Sequence, residues 1–233
     1  MKKISAFLSD LFFVPRCEVC GREPDGKEDG ILCRTCRNRY ELEEKSVCHI
    51  CRNTFDKCVC RPQFSSPFVE NYRRVTLYRE DRVSGKLILA AKDRSSRHLT
   101  VFLAKQIAAV CKNGNISPDV ITYIPCSDRN YRKKGFDHGK DLAFEVANML
   151  SVSAVCCFKR YKGREQKHLN AQERLENSKV SLEPIVRAEE KVKGRRVLVV
   201  DDIMTTGASS LVASIYLHEM GAESIDFVSF GSR

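Results

Sequence analysis

No stretch of the 233 residues runs apolar for anything near the twenty positions that a membrane-crossing helix needs, so membrane insertion is not expected. Nor is a secretory leader expected. Met1 to Pro15 begins with two lysines and an apolar patch, but Ser5, Ser9 and Asp10 interrupt it and no small-residue cleavage site follows. Ile4, Phe7, Leu8, Leu11 and Phe12 have helical spacing instead, which predicts a short amphipathic helix packed on the body. Without an export signal, an oxidising compartment has no support.

Cysteine, by contrast, is plentiful and concentrated. Eight of the twelve cysteines lie between residues 17 and 60, as Cys17-x-x-Cys20, Cys33-x-x-Cys36, Cys48-x-x-Cys51 and Cys58-x-Cys60. Cysteines spaced in this way turn both thiolates toward one tetrahedral ion, and two such pairs complete a structural Zn²⁺ site. Disulfides are the competing reading, and the missing export signal counts against them. The simplest assignment gives Cys17, Cys20, Cys33 and Cys36 to one zinc and Cys48, Cys51, Cys58 and Cys60 to a second. A cross-braced arrangement stays open from spacing alone. Cys58-x-Cys60 is a tighter bite than the others, and His49 inside the third pair is an alternative ligand. Four thiolates leave no place for water, so these sites are expected to be structural. Cys111, Cys126, Cys156 and Cys157 stand among apolar residues and read as small buried hydrophobes.

The net charge of +10 suits a polyanionic partner such as nucleic acid, and equally suits a generically basic protein. The chain divides into a Cys-rich module with an N-terminal helix over 1–61, a Pro- and Ser-containing linker over 62–71, and an α/β body over 72–233. In the body, strands are predicted over 74–78, 119–125, 154–158, 197–200 and 225–230. Helices are predicted over 83–91, 99–111, 139–150, 171–177 and 208–220. This alternation predicts a mainly parallel sheet flanked by helices.

Within the body, 197–209 carries the most chemistry. Val197, Leu198, Val199 and Val200 read as a strand buried on both faces, and Asp201 and Asp202 follow where it emerges. Ligands of open α/β sheets bind at the carboxyl ends of strands. The short turn Thr205, Thr206, Gly207 then enters a helix through Ala208 and Ser209. Unpaired amides and hydroxyls at such a helix start suit a phosphate. Carboxylates beside a phosphate nest call for a ligand that also carries hydroxyls or a divalent cation. A ribose 5-phosphate bearing a Mg²⁺-bound pyrophosphate meets both conditions.

Two basic loops accompany this motif. The first, 124–137, leaves a strand end and holds Arg129, Arg132, Lys133 and Lys134, placed to neutralise a pyrophosphate. The second, 159–169, is again basic and positioned to close over substrate; His168 within it reads as a polar loop residue.

The segment 197–209 resembles the phosphoribosyl pyrophosphate (PRPP) motif of type I phosphoribosyltransferases: an aliphatic strand, two acidic residues, two aliphatic positions, then Thr-Thr-Gly. With the paired cysteines, Ile124-Pro125, the Arg132 to Phe136 segment, and Gln166 to Leu169 with Gln172, Arg174 and Asn177, the chain resembles the ComF family of competence proteins over nearly its whole length. It departs from that family at Tyr123, with one proline where two are usual, and at Asp137-His138, where Asn-Gln is usual. The resemblance implies a type I phosphoribosyltransferase fold behind a double zinc-ribbon-like module, in a cytoplasmic protein linked to DNA uptake. It implies an enzyme of pentosyl transfer in which pyrophosphate leaves the anomeric carbon of PRPP. Asp201 and Asp202 would hold the ribose hydroxyls, Thr205, Thr206, Gly207, Ala208 and Ser209 the 5-phosphate, and Arg132 and Lys133 the departing pyrophosphate. The alternative is a non-catalytic module for single-stranded DNA or a nucleotide, with Tyr72, Tyr78, Tyr131, Phe136 and Tyr161 as stacking surfaces and a DNA-uptake helicase or ATPase as partner.

Overall fold

Val197 to Val200 form the middle of the sheet, and their side chains alternate between two cores, as successive residues of a strand must. Val197 and Val199 pack into one core and Leu198 and Val200 into the other, and none is more than 1% exposed. Burial of each such side chain stabilises by about 1.5–3 kcal/mol, so this strand is fixed in register and facing.

The computed structural model describes residues 16–24, 30–48, 50–161 and 169–233. The helix expected over 1–15, His49, and residues 162–168 of the second basic loop, including Gln166 and His168, lie outside the described residues. In chain order the elements are α1 (Arg34–Glu44), a 3-10 turn (Phe55–Lys57), β1 (Val69–Leu77), α2 (Val83–Asp93), α3 (Arg97–Asn113), β2 (Val120–Tyr123), α4 (Asp128–Lys134), α5 (His138–Leu150), β3 (Ser153–Ala154), β4 (Phe158–Arg160), α6 (Ala171–Ser181), β5 (Leu182–Pro184), α7 (Glu189–Val192), β6 (Arg196–Met204), α8 (Ala208–Glu219) and β7 (Ser224–Ser232).

β1, β7, β6, β2 and β3 lie side by side in that order, every pair parallel, while β4 and β5 form a separate antiparallel pair. Buried residues of α1, α2, α3 and α5 cover one face of the sheet; those of α6, α7, α8 and the β4–β5 pair cover the other. The expected parallel sheet flanked by helices is therefore present. From β2 the chain runs outward to β3, and from β6 it runs through α8 to β7 on the opposite side. Diverging connections leave a crevice outside the carboxyl ends of β2 and β6.

Two local expectations are corrected. The run 154–158 is not one strand, because its backbone changes partners partway. Val155 N donates to Ile121 O at 2.8 Å, whereas Cys157 O accepts from Ile185 N at 2.9 Å, next to the small sheet. The stretch 124–137 is not all loop. Ser127 caps α4 by accepting from Asn130 N, and Gly135 ends it in the left-handed region at φ 77°.

The Cys-rich region packs on the body at several points. Tyr40 of α1 meets Phe102 of α3 with ring centroids 5.4 Å apart. The Glu43 carboxylate accepts from Val83 N and Ser84 N at 2.8 and 3.0 Å and so caps the start of α2 from another helix. Residues 62–71, read as the linker, contain the first residues of β1, and Phe64 N donates to Thr206 O at 2.8 Å.

Candidate active site and metal centres

β6 carries Asp201 and Asp202 to the mouth of the crevice. Asp202 N donates to Asp201 Oδ1 at 2.8 Å, which fixes the first carboxylate against the backbone of the second. Asp202 Oδ1 lies 3.1 Å from Lys92 Nζ, and its Oδ2 lies 4.0 Å from His138 Nε2. Burial pushes Asp201 up to about 7, the Asp202 charge adds to that, and Lys92 opposes it. Burial acts to raise Asp202 too, but Lys92 and His138 outweigh it and hold this carboxyl below its ordinary value. His138 is itself 7% exposed; burial lowers its pKa, and its Nε2 has no hydrogen-bond partner among the described residues. The arrangement is thus one ionised carboxylate beside one that exchanges its proton near neutrality, next to a buried imidazole. Such a pair accepts hydrogen bonds from hydroxyls or takes a cation.

Below it lies the turn into α8. Gly207 has φ 81°, and a Cβ there would come within 2.7 Å of both Phe64 O and Pro62 Cγ, so only glycine fits. Leu211 N to Gly207 O is the first backbone bond of the helix, which leaves the amides of Ala208, Ser209 and Ser210 without an intrahelical acceptor. Ala208 N has a weak side-chain acceptor in Thr206 Oγ1 at 3.4 Å. Thr205 Oγ1 accepts from Arg174 Nη1 at 3.0 Å and Ser209 Oγ from Arg160 Nη2 at 2.8 Å, with Ser178 Oγ 3.2 Å from Ser209 Oγ. The five residues expected at a phosphate site are therefore together, with two guanidinium groups beside them.

The opposite wall follows β2. Asp137 caps α5 through Lys140 N at 3.2 Å and accepts from Cys126 N at 3.0 Å, which pins the turn after Pro125. Burial, followed by Asp137, pushes the Cys126 thiol up to about 12, so it is no ready thiolate. Lys134 Nζ donates to Lys92 O at 2.6 Å and to Asp93 Oδ1 at 3.3 Å, tying α4 to the end of α2. The two walls enclose a crevice of about 630 Å³, whose lining includes Lys92, Lys133, His138, Arg160, Asp201 and Thr206. Lys133 thus faces the crevice. Arg132, on the same helix, is exposed and is not among the lining residues.

Sequence reasoning gave no role to Lys92 or His138, and it placed Arg160 only as one member of the second basic loop. Lys92 ends an ordinary amphipathic helix and carries no local signal; only packing brings it to Asp202. His138 stood out as a departure from the family pattern, and Arg174 stood within the Gln-rich segment of the same pattern. Of the four scattered cysteines, Cys111 and Cys157 are buried as expected, Cys126 is half-buried, and Cys156 is exposed.

The eight N-terminal cysteines form two separate clusters, Cys17, Cys20, Cys33 and Cys36, and Cys48, Cys51, Cys58 and Cys60, each with its four sulfurs within 4.8 Å of one another. A tetrahedral zinc with bonds near 2.3 Å would place its sulfurs about 3.8 Å apart. Cys20 and Cys33 are 3.6 Å apart, Cys48 and Cys60 3.8 Å, and Cys51 and Cys58 3.5 Å, so both sets fit such an ion. The second cluster has a further device. The buried guanidinium of Arg74, on β1, donates to Cys48 Sγ at 3.2 Å and to Cys58 Sγ at 2.9 Å. It would offset part of the negative charge that four thiolates leave on a zinc complex.

Among the described residues no helix is long and apolar enough to cross a membrane. No curated protein matches the chain. Solved structures to which the chain is similar include the allosteric regulatory enzyme of purine biosynthesis, at 19% identity and a TM-score of 0.40 over 56% of this chain and 26% of that one. A purine phosphoribosyltransferase from Pyrococcus horikoshii matches at 16% identity and 0.37 over 57% and 83%. An orotate phosphoribosyltransferase from Mycobacterium tuberculosis matches at 16% and 0.37 over 63% and 66%. The chain spans about a quarter of the length of the first of these. Residues 142–232, which hold Asp201, Asp202 and the whole turn from Thr205 to Ser209, match the family model of the phosphoribosyl transferase domain.

Proposed function

We propose that the crevice binds PRPP and that the protein is a phosphoribosyltransferase of the type I kind. One observation carries this reading: the open amides and hydroxyls at the start of α8 lie directly after a carboxylate pair at the carboxyl end of β6, in the stretch that matches the phosphoribosyl transferase domain. In this reading Thr205, Thr206, Gly207, Ala208 and Ser209 hold the 5-phosphate. Asp201 and Asp202 accept from the ribose hydroxyls and stabilise positive charge as it develops on the ring. Lys133 at the crevice, with Arg132 on the outer rim of α4, offsets the charge of the departing pyrophosphate. Lys92, which lines the crevice beside Asp202, has the length to turn to pyrophosphate. Mg²⁺, when bound, would neutralise pyrophosphate oxygens, with Asp201 or Asp202 and waters completing its oxygen shell. No covalent nucleophile is needed.

The combination of paired cysteines with this domain supports the finer reading of a ComF-type cytoplasmic protein that serves DNA uptake, with a helicase or ATPase as partner. The clusters would hold two structural zinc ions, and metal analysis is expected to return two per chain. A single-strand DNA platform has weaker support. Of its five aromatic residues, Tyr72 and Tyr78 are buried, leaving Tyr131 and Tyr161 as the exposed rings.

Calorimetric titration of PRPP into the zinc-loaded protein, with and without Mg²⁺, tests the reading. Mg²⁺-dependent binding that disappears in Asp201→Asn/Asp202→Asn is the expected result. Absence of binding under both conditions would remove it.

A further inference from the structure

We propose that Arg160 and Arg174 form a clamp on the two sides of the phosphate turn that selects a terminal phosphate monoester over a phosphodiester. The inference rests on the phosphate-site reading above and concerns which phosphate the site accepts.

The two guanidinium groups come from outside the main sheet. Arg160 ends β4, opposite Leu182 of β5 and two residues after the fully buried Phe158, and Arg174 lies on α6. Each reaches one of the two hydroxyls that flank Gly207 at equal distances along the chain, Arg160 at Ser209 and Arg174 at Thr205. Arg174 also donates from Nε to Leu169 O at 2.9 Å, which fixes the plane of its guanidinium. Among the described residues neither group has a carboxylate within the 4.0 Å of an ion pair. Arg160 feels Asp201 at longer range, and burial holds its pKa below the ordinary value.

A guanidinium keeps its charge inside a protein and carries five donors, and a neutral hydroxyl satisfies one of them. Two such cations packed beside the positive end of a helix, with no carboxylate at ion-pair distance among the described residues, are stabilised by a ligand that brings negative charge. The amount of charge discriminates between ligands. An internal phosphodiester offers one charge and two free oxygens, whereas a terminal monoester offers close to two charges and three free oxygens. Two forks and a helix start match the second. The charge-assisted bonds would be bidentate and directional, which point-charge lysines cannot reproduce.

The test compares ribose 5-phosphate, its 5-O-methyl phosphodiester and PRPP as calorimetric probes of the wild-type protein, Arg160→Gln, Arg174→Gln and the double variant. Thermal melting serves as the folding control. Each single variant is expected to weaken PRPP and ribose 5-phosphate by about 10- to 100-fold, as loss of a charge-assisted contact does. The methyl diester is expected to bind the wild type at least about tenfold more weakly than the monoester. That gap should shrink in the double variant. Arg160→Lys and Arg174→Lys keep the charge without the fork, and are expected to restore only part of the affinity. PRPP binding left intact in a folded double variant, or equal binding of monoester and diester, would overturn the clamp while leaving the PRPP site standing. Failure of the wild type to bind either monoester would overturn both.

Discussion

The wall that follows β6 and the wall that follows β2 face the same crevice but are held in place by different forces. On the β6 side the strand is buried on both faces, Gly207 is locked under Pro62 and Phe64, and the hydroxyls of Thr205 and Ser209 are held by Arg174 and Arg160. On the β2 side the turn is pinned through Asp137 to Cys126 N and α4 is tied to α2 through Lys134, and the cations sit on α4, a seven-residue helix with no buried residue. A wall fixed before the ligand arrives can supply geometry at small entropic cost, while an exposed set of cations supplies mainly field. The phosphate and ribose end should therefore respond sharply to single substitutions, and the pyrophosphate end gradually and in a salt-dependent way.

The largest effects are expected at the carboxylate pair, and they should have opposite signs for stability. Asp201 is raised from its ordinary value to about 7, so between those limits the folded protein holds a proton that the unfolded chain has released. Stability from this group is therefore full below its unfolded pKa, falls as pH rises toward 7, and is lost above it. Asp201→Asn should remove that penalty and stabilise the ligand-free protein on the order of 1–3 kcal/mol at pH 8, with little change at pH 4. Asp202 is held below its ordinary value, with Lys92 as its ion-pair partner. Asp202→Asn should destabilise by about 1–3 kcal/mol, less than a fully buried pair costs because Lys92 is 34% exposed. Both variants should lose PRPP binding. Denaturant melts at the two pH values check the signs, and equal destabilisation by both would break the assignment of roles within the pair.

The same proton gives a second test. If ribose hydroxyls and Mg²⁺ take the ionised form of Asp201, affinity should rise about tenfold per pH unit below about 7 and level off above it. Calorimetry in two buffers of different ionisation enthalpy should register close to one proton released per PRPP at pH 6. A flat profile between pH 5.5 and 8 would place the ligand away from Asp201.

What was legible in the sequence follows this division. The β6 wall is contiguous: strand, acidic pair, turn and helix lie within 197–209, so their order alone carries the geometry, and the sheet around them follows from helix and strand periods. The remainder of the site is assembled from distant parts of the chain. Lys92 reaches Asp202 from the end of α2, and Arg160 reaches Ser209 from a strand of a second, small sheet. Nothing local to either residue encodes those encounters. On the β2 wall, the basic run hid a helix whose signals, Ser127 before it and Gly135 after it, were present but were outweighed by the charge of 128–134. The cysteine clusters were readable because ligand spacing is local, whereas Arg74 beside them was not, being a strand residue met only through folding.

An intermediate effect is expected from the metal centre. Only 61–63 separate Cys60 from Phe64, whose N–H holds Thr206 O, and Pro62 lies on Gly207. Removal of metal from the second cluster should loosen this strap and weaken ribose 5-phosphate several-fold. Cys20→Ser in the first cluster, which packs on the helical face, should leave that affinity unchanged. Zinc release followed by a chromogenic chelator, alongside ribose 5-phosphate titration, separates the two. Equal loss from both clusters would mean that metal supports the fold as a whole and not the phosphate turn in particular.

The smallest effects belong to the β2 wall, and here one substitution pair decides whether the comparison holds. Lys133 lines the crevice and Arg132 does not, though both are exposed and share α4. An exposed charge near a polyanion acts through a screened field, worth about 1 kcal/mol or less and falling with ionic strength. Lys133→Gln should therefore weaken PRPP by about two- to fivefold at low salt and less at 0.5 M, while ribose 5-phosphate, which has no pyrophosphate, should be unaffected. Arg132→Gln should change PRPP affinity by less than about twofold under both conditions. If Arg132→Gln instead costs as much as Asp201→Asn, α4 must turn inward when the ligand binds. The β2 wall would then be a closing element, as specific in the bound state as the β6 wall is in the free one.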